Sequence, residues 1–87
     1  MGTPTYFLFP HLLMITPKGY KKSYKGYRIE VSVWLDGDGW LADLSIYYSR
    51  DAQNILVTFA MPGAFKTYDR AVEESLAAAQ KWIDQRS

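Results

Sequence analysis

The feature that most constrains this chain is a pair of alternating segments joined by the turn sequence Asp-Gly-Asp-Gly at residues 36–39. From residue 27 to residue 35 every odd position is apolar or aromatic, while the even positions are mainly polar. Successive side chains of a strand point to opposite faces, so this alternation predicts a half-buried strand. Glycine and aspartate tolerate the positive φ angles of tight turns, and the whole segment therefore predicts a β-hairpin.

The apolar pattern also predicts the register of this hairpin. With Gly37 and Asp38 at the tip, Leu35 lies opposite Trp40, and the apolar residues of both strands share one face. A slip by one residue would turn one strand's apolar set toward water, so the pattern specifies the pairing. The other predicted pairs on this face are Val33 with Ala42, Val31 with Leu44, Ile29 with Ile46 and Tyr27 with Tyr48.

A third alternating segment, residues 55–60, predicts a third strand after the polar residues 49–54, which are predicted as a loop. This strand pairs with the second one in the same manner when Ile55 lies opposite Tyr48. Pro62 has no N–H to donate to a sheet, so the strand is expected to end before it.

An amphipathic pattern predicts one C-terminal helix that is capped by Thr67 or Asp69 and runs to about Asp84. Its apolar stripe must cover the sheet. The stripe includes Val72, Leu76, Ala79 and Ile83. The predicted fold is therefore α+β, a three-stranded antiparallel β-meander with one C-terminal helix packed on one face.

The length of 87 residues allows one small domain with a limited core, and residues 18–87 are predicted to form it. Residues 1–17 are predicted to be a disordered leader, because three of the four prolines interrupt it. An alternative is that Met14 is the true start, in which case residues 1–13 do not belong to the native protein. The apolar residues 6–15 are too short to span a bilayer and no Lys or Arg precedes them, so no membrane association is expected.

The residue types needed for common catalytic and metal sites are scarce in this chain. Cysteine is absent, which excludes disulfides, a thiolate nucleophile and Cys-based zinc sites and fits a cytoplasmic location. The only histidine, His11, has no Cys or acid beside it. Asp36 and Asp38 resemble the start of a calcium loop, but the closing Glu is missing. We therefore predict no catalytic, metal or cofactor residue, and no enzyme activity.

The outer face of the predicted sheet is a candidate interface. Trp34 lies opposite Leu41 there, and Tyr47 shares the same face in this register. One helix covers only the inner face, so an exposed apolar strip remains, and such strips often mark interfaces. The alternatives are scattered surface hydrophobics or coverage by residues 6–15. The open sheet edges offer a second route to association, and we expect a homodimer that also binds an unidentified protein.

A basic, tyrosine-rich segment supplies the alternative function, a nucleic-acid-binding accessory domain. Five of the ten Lys and Arg residues precede residue 30, whereas none of the nine acidic residues does. Lysines that contact phosphates and rings that stack on bases are typical of single-strand binding. The residues concerned are Lys18, Tyr20, Lys21, Lys22, Tyr24, Lys25 and Arg28. A solubilising basic leader would explain the same composition, so nucleic acid is possible but not favoured.

The arrangement of several short motifs resembles a family of small uncharacterised bacterial β-β-β-α domains. The matching motifs are Tyr24-x-Gly26-Tyr27-x-Ile29, Trp40-x-Ala42, Pro62-Gly63-x-Phe65-x-Thr67, Ala71, Ala78 and Trp82-Ile83-Asp84.

A second similarity is to the N-terminal domain of HicB-type antitoxins. Its matching pieces are Asp38-Gly39-Trp40, Pro62-Gly63 and Glu74-Ser75-Leu76-Ala77-Ala78. That resemblance implies a toxin protein as partner, but those antitoxins usually continue into a DNA-binding module that these 87 residues do not include.

Overall fold

Residues 18–86, the part of the chain that the computed structural model describes, form a four-stranded antiparallel sheet with one helix on its inner face. The strands follow each other in the order β1-β2-β3-β4. The elements are β1 (Lys18–Tyr24), β2 (Tyr27–Asp36), β3 (Gly39–Arg50), β4 (Gln53–Ala60) and α1 (Tyr68–Asp84). The α+β class and the C-terminal helix are as predicted. The predictions on residues 1–17 lie outside the described residues.

The central hairpin of β2 and β3 has the predicted register. Leu35 lies opposite Trp40, and Ile29 lies opposite Ile46. Gly37 has a φ of 64°, in the left-handed region that a tight hairpin turn uses. Except for Leu35 near the turn, which is 46% exposed, the inner-facing aliphatic residues of both strands are almost fully buried and form the core with the helix.

The prediction of three strands is wrong, because residues 18–24 form a fourth strand, β1, along the free edge of β2. The strands are joined by Lys25 and Gly26, whose φ angles of 51° and 85° are typical of a type I′ hairpin turn. Lysine is uncommon inside sheets but frequent on edge strands, where it opposes pairing with other chains. The basic composition that suggested a solubilising leader or a nucleic-acid-binding segment is therefore also that of a protected edge strand.

The predicted loop at residues 49–54 is also shorter than expected. β3 continues to Arg50 and β4 begins at Gln53, so that Asp51 and Ala52 alone form the turn. Both have positive φ angles, 52° and 63°, although neither is glycine. The polar residues that indicated a loop pair instead as strand residues, and Ser49 Oγ donates a hydrogen bond of 2.9 Å to the Asn54 side chain.

Of the two predicted caps, Thr67 and Asp69, the structure has Thr67 as the N-cap of α1, and its Oγ1 accepts a hydrogen bond of 3.0 Å from the Arg70 N–H. Its buried residues are Ala71, Val72, Ser75, Ala79 and Ile83. These small and aliphatic side chains let the helix lie close to the sheet, and it packs mainly against β2 and β3. The inner faces of the two outer strands, β1 and β4, are consequently only partly covered.

The connection from β4 to α1 closes the sheet near the start of β3. Trp40 and Phe65 exchange two backbone hydrogen bonds of 2.8 Å. A Cβ atom on Gly39 would lie only 2.6 Å from the Ala64 Cβ, so the close approach of this connection requires glycine at residue 39. Tyr68, at the start of the helix, packs edge-on against Trp40 with ring centroids 5.8 Å apart.

Candidate interaction surfaces

The outer sheet face carries apolar pairs at its two ends, and the described helix does not cover it. Trp34 lies opposite Leu41 at one end, and Tyr47 lies opposite Leu56 at the other. Polar residues fill the rows between them, namely Glu30, Ser32, Asp43, Ser45 and Thr58. The two ends are six residues apart along the strand, or about 20 Å. The structure therefore does not bring Trp34 and Tyr47 together, and the predicted strip is two separate patches.

The patch at Tyr47 is partly covered by a cation. The Arg28 guanidinium lies 4.9 Å from the Tyr47 ring centroid and also pairs with the Glu30 carboxylate at 3.3 Å. Leu56 beside it is 55% exposed, the most exposed large apolar side chain among the described residues. Sequence reasoning overlooked Leu56, although the predicted register already placed it on this face.

The segment predicted to bind nucleic acid is divided by the structure between two faces and a turn. Opposed residues of an antiparallel pair share a face, and the register with β2 assigns each of them. On the inner face lie Lys18, Tyr20, Lys22 and Tyr24; on the outer face lie Lys21 and Arg28; in the turn lies Lys25. The seven residues do not form one continuous surface.

Asp84, at the end of α1, binds two residues of this segment. Lys25 Nζ lies 2.7 Å from its carboxylate, and the Tyr24 hydroxyl donates to it at 3.0 and 3.1 Å. The hydrogen bond from Lys25, and then that from Tyr24, hold the pKa of Asp84 below its ordinary value. The contacts with Asp84 raise the pKa values of both Tyr24 and Lys25. Lys25 and Tyr24 are thus engaged in joining the β1–β2 turn to the helix.

The remaining residues of the basic segment are more open. Lys18 Nζ lies 5.5 Å from the Tyr68 ring centroid, and Tyr20 is 41% exposed. Lys21 and Lys22 are exposed and form no ion pair within residues 18–86. Within the described residues, this half of the segment is available to a polyanion without breaking an ion pair.

An apolar groove runs between β4 and α1, on the side of the helix away from β1. Its volume is about 240 Å³, and its lining residues are Leu44, Phe59, Ala60, Met61, Pro62, Ala78 and Trp82. Trp82 forms its end, edge-on to Phe59 with ring centroids 6.1 Å apart. Because β4 is the outermost strand, no described element bounds the groove beyond it.

The two sheet edges differ in composition. β1 carries three lysines in seven residues, whereas β4, with the sequence QNILVTFA, contains no charged residue and no proline. Natural proteins protect exposed edges with charges, proline or bulges, because unpaired backbone groups can pair with another chain. By this criterion the β1 edge is protected and the β4 edge is open to a partner.

A cleft of about 630 Å³ lies between the β1–β2 turn and the β3–β4 hairpin. It is lined by Lys25, Gly26, Tyr27, Arg28, Tyr47, Tyr48, Ser49, Asn54 and Ile55. None of these side chains is a carboxylate or histidine, the groups that most often act as general acid or base. Within residues 18–86 no three metal-ligating side chains cluster. The predictions on enzyme activity and cofactors stay predictions.

Comparison with family models, with curated proteins and with solved structures finds no match to this chain, so the proposed family resemblances stay predictions. In the described part of the chain, α1 is neither long nor apolar enough to cross a membrane.

Proposed function

We propose that this protein is a non-catalytic protein-interaction module that works as a homodimer. The observation that carries the proposal is the apolar surface on β4 that the rest of residues 18–86 leaves uncovered. Leu56 is 55% exposed on the outer face, and Ile55, Val57 and Phe59 are only half-buried on the inner face.

This uncovered surface follows from the position of the helix. α1 packs mainly over β2 and β3, so that within residues 18–86 the inner-facing residues of β4 are only partly covered, with Trp82 edge-on to Phe59. Burying apolar area stabilises an association by about 25 cal/mol per Å², before the entropy cost of binding is counted. A domain with so small a core has much to gain from such burial.

The patch of Trp34 and Leu41 supports a role in binding a second protein. It lies on the outer face, away from the groove beside α1, and its two side chains are half-buried by their strand neighbours. A module that self-associates through β4 would therefore keep this patch available for a different partner.

Light scattering across a concentration series tests self-association. One chain has a mass of 10.0 kDa, and we expect the protein to have twice this mass at high micromolar concentration. The change Leu56→Ser should weaken the dimer, whereas Leu35→Ser, at a position 46% exposed near the other end of the sheet, should not. A wild-type protein that stays monomeric throughout contradicts the proposal.

Nucleic acid binding is the second candidate, and the row of Lys18, Tyr20 and Lys22 on the partly covered inner face of β1 favours it. Against it, Lys25 and Arg28 already form ion pairs. We expect at most weak binding without sequence preference, since few cations are free to meet phosphates. Titration of a labelled single-stranded oligonucleotide tests this. Submicromolar affinity at physiological salt, lost in Lys21→Ala with Lys22→Ala, would make this the leading function.

A further inference from the structure

We propose that two copies of the chain pair through β4, antiparallel about a two-fold axis at Val57, so that two four-stranded sheets join into one of eight strands. The inference rests on the proposed function, that the chain self-associates. It adds the surface, the direction and the register of the contact.

The direction of the backbone groups of β4 determines where a second strand can bond. The Met61 N–H donates to the Ala42 carbonyl at 2.9 Å. Because hydrogen-bonded and non-hydrogen-bonded pairs alternate in an antiparallel ladder, the odd residues of β4 bond to β3 and the even ones point away from it. The outward-pointing residues are Asn54, Leu56, Thr58 and Ala60.

A pairing centred on Val57 uses all of these outward groups. It places Asn54 of one copy opposite Ala60 of the other, and Leu56 opposite Thr58. A shift of the centre by one residue in either direction leaves an end residue without a partner. Pro62, just beyond the strand, has no N–H to extend the ladder, so the register centred on Val57 forms the most hydrogen bonds.

The same register keeps like faces together. Directly opposed residues of an antiparallel pair lie on one face, so Ile55 of one copy lies beside Phe59 of the other on the inner face. The half-buried inner-facing residues of β4 (Ile55, Val57 and Phe59) then form one continuous row across both copies, and both helices lie on the same side of the joined sheet. The groove at Phe59 and Trp82, open beyond β4 in one chain, gains the second copy as its wall.

Charge favours this pairing over the two other ways of joining sheet edges. Pairing β1 with β1 would bring lysines of both copies together, and like charges in neighbouring strands repel. Pairing β4 with β1 would set Lys18 or Lys22 beside apolar residues such as Val57, removing ammonium groups from water. β4 paired with itself brings no charged residue to the contact.

Single cysteines test the register, and the chain has no cysteine of its own to interfere. At the axis, Val57 would form a non-hydrogen-bonded pair with its counterpart, with Cα atoms about 4.5 Å apart, within the range of a disulfide. We expect Val57→Cys to form a covalent dimer under mild oxidation. Leu56→Cys, diagonal to its counterpart at about 7–8 Å, and Lys22→Cys, on the other edge, should cross-link far less.

Substitutions at Thr58 test the surface without breaking the β3–β4 ladder. Thr58→Pro removes an outward N–H, and Thr58→Lys places a charge on the open edge while keeping the backbone donor. Both should reduce the measured mass by half, whereas Lys21→Pro, the matched change on an outward residue of β1, should leave the dimer intact. The lysine variant decides the question if the proline variant does not fold.

Three results would overturn the inference. A dimer that survives Thr58→Lys and does not cross-link through Val57→Cys places the interface elsewhere, while the proposed self-association stands. Preferential cross-linking of Leu56→Cys refutes the register. A wild-type protein that remains monomeric removes both the inference and the proposed function.

Discussion

Replacing Trp82 by alanine should destabilise the domain by about 2–3 kcal/mol. The Trp82 ring joins the helix to the sheet, with ring centroids 6.5 Å from Tyr27, 6.0 Å from Tyr48 and 6.1 Å from Phe59. Deleting a fully buried tryptophan costs about 3–5 kcal/mol. Trp82 is only half-buried, with the Arg86 guanidinium 3.7 Å from its ring centroid, so the expected loss lies below that range.

The three ring contacts give an independent estimate of this loss. Aromatic pairs contribute roughly 0.5–1.5 kcal/mol each beyond the area they bury. Three such contacts at the lower end, with the loss of buried area added, again amount to about 2–3 kcal/mol. For a domain of this size each kcal/mol shifts the melting temperature by about 4–8 °C, so a fall of about 10–20 °C is expected.

Thermal unfolding followed by circular dichroism measures the effect. Wild type and variants should be compared at one protein concentration, because self-association adds to the measured stability. Trp34→Ala is the matched control, since Trp34 is also half-buried but lies on the outer face, which α1 does not cover. We expect a loss there of about 1 kcal/mol or less. A Trp82→Ala melting temperature within a few degrees of wild type, or equal to that of the control, would refute the reasoning.

Three further predictions concern single positions. The pKa of Asp84 lies below its ordinary value of 3.8, so the stability that its ionised carboxylate contributes is present above that pH and is lost as the pH falls through the lowered pKa. Asp84→Asn should therefore be less stable than wild type near neutral pH and should lose less stability on acidification, as measured by urea unfolding at neutral and at acidic pH. Ala52→Gly should stabilise the domain by about 0.5–1 kcal/mol, because it relieves a left-handed φ of 63°, and an unchanged or lower midpoint would argue against strain in this turn. Gly39→Ala should destabilise the domain by more than about 1 kcal/mol, since the new Cβ would clash with the Ala64 side chain. An unchanged melting temperature would show that the connection between β4 and α1 moves freely.

The elements of the fold that could be predicted are those with a local pattern of their own. The alternation around Gly37 and Asp38 defined both strands and their register, because a shift by one residue would expose the whole apolar set of one strand. Thr67 and Asp69, both residue types that cap helices, located the start of the helix to within two residues, and the structure has Thr67 as the cap. The fourth strand was missed because three of its seven residues are lysines, which indicated a solubilising leader or a nucleic-acid-binding segment rather than an edge strand.

The candidate interface could be predicted only in part. The position of Leu56 on the outer face follows from the register of β3 and β4. The groove at Phe59 and Trp82 does not, because it depends on the helix lying over β2 and β3 rather than over the whole sheet. Likewise the pairing of Lys25 with Asp84 joins residues far apart in the chain, and no local pattern indicates it.

The most direct test of the account is sedimentation equilibrium of wild type beside Thr58→Lys at the same concentrations. We expect a wild-type dimer and a folded, monomeric Thr58→Lys variant, because the β4 edge is the surface through which we propose that the chain associates. A wild-type monomer at high micromolar concentration, or a variant dimer as stable as the wild-type dimer, would contradict it.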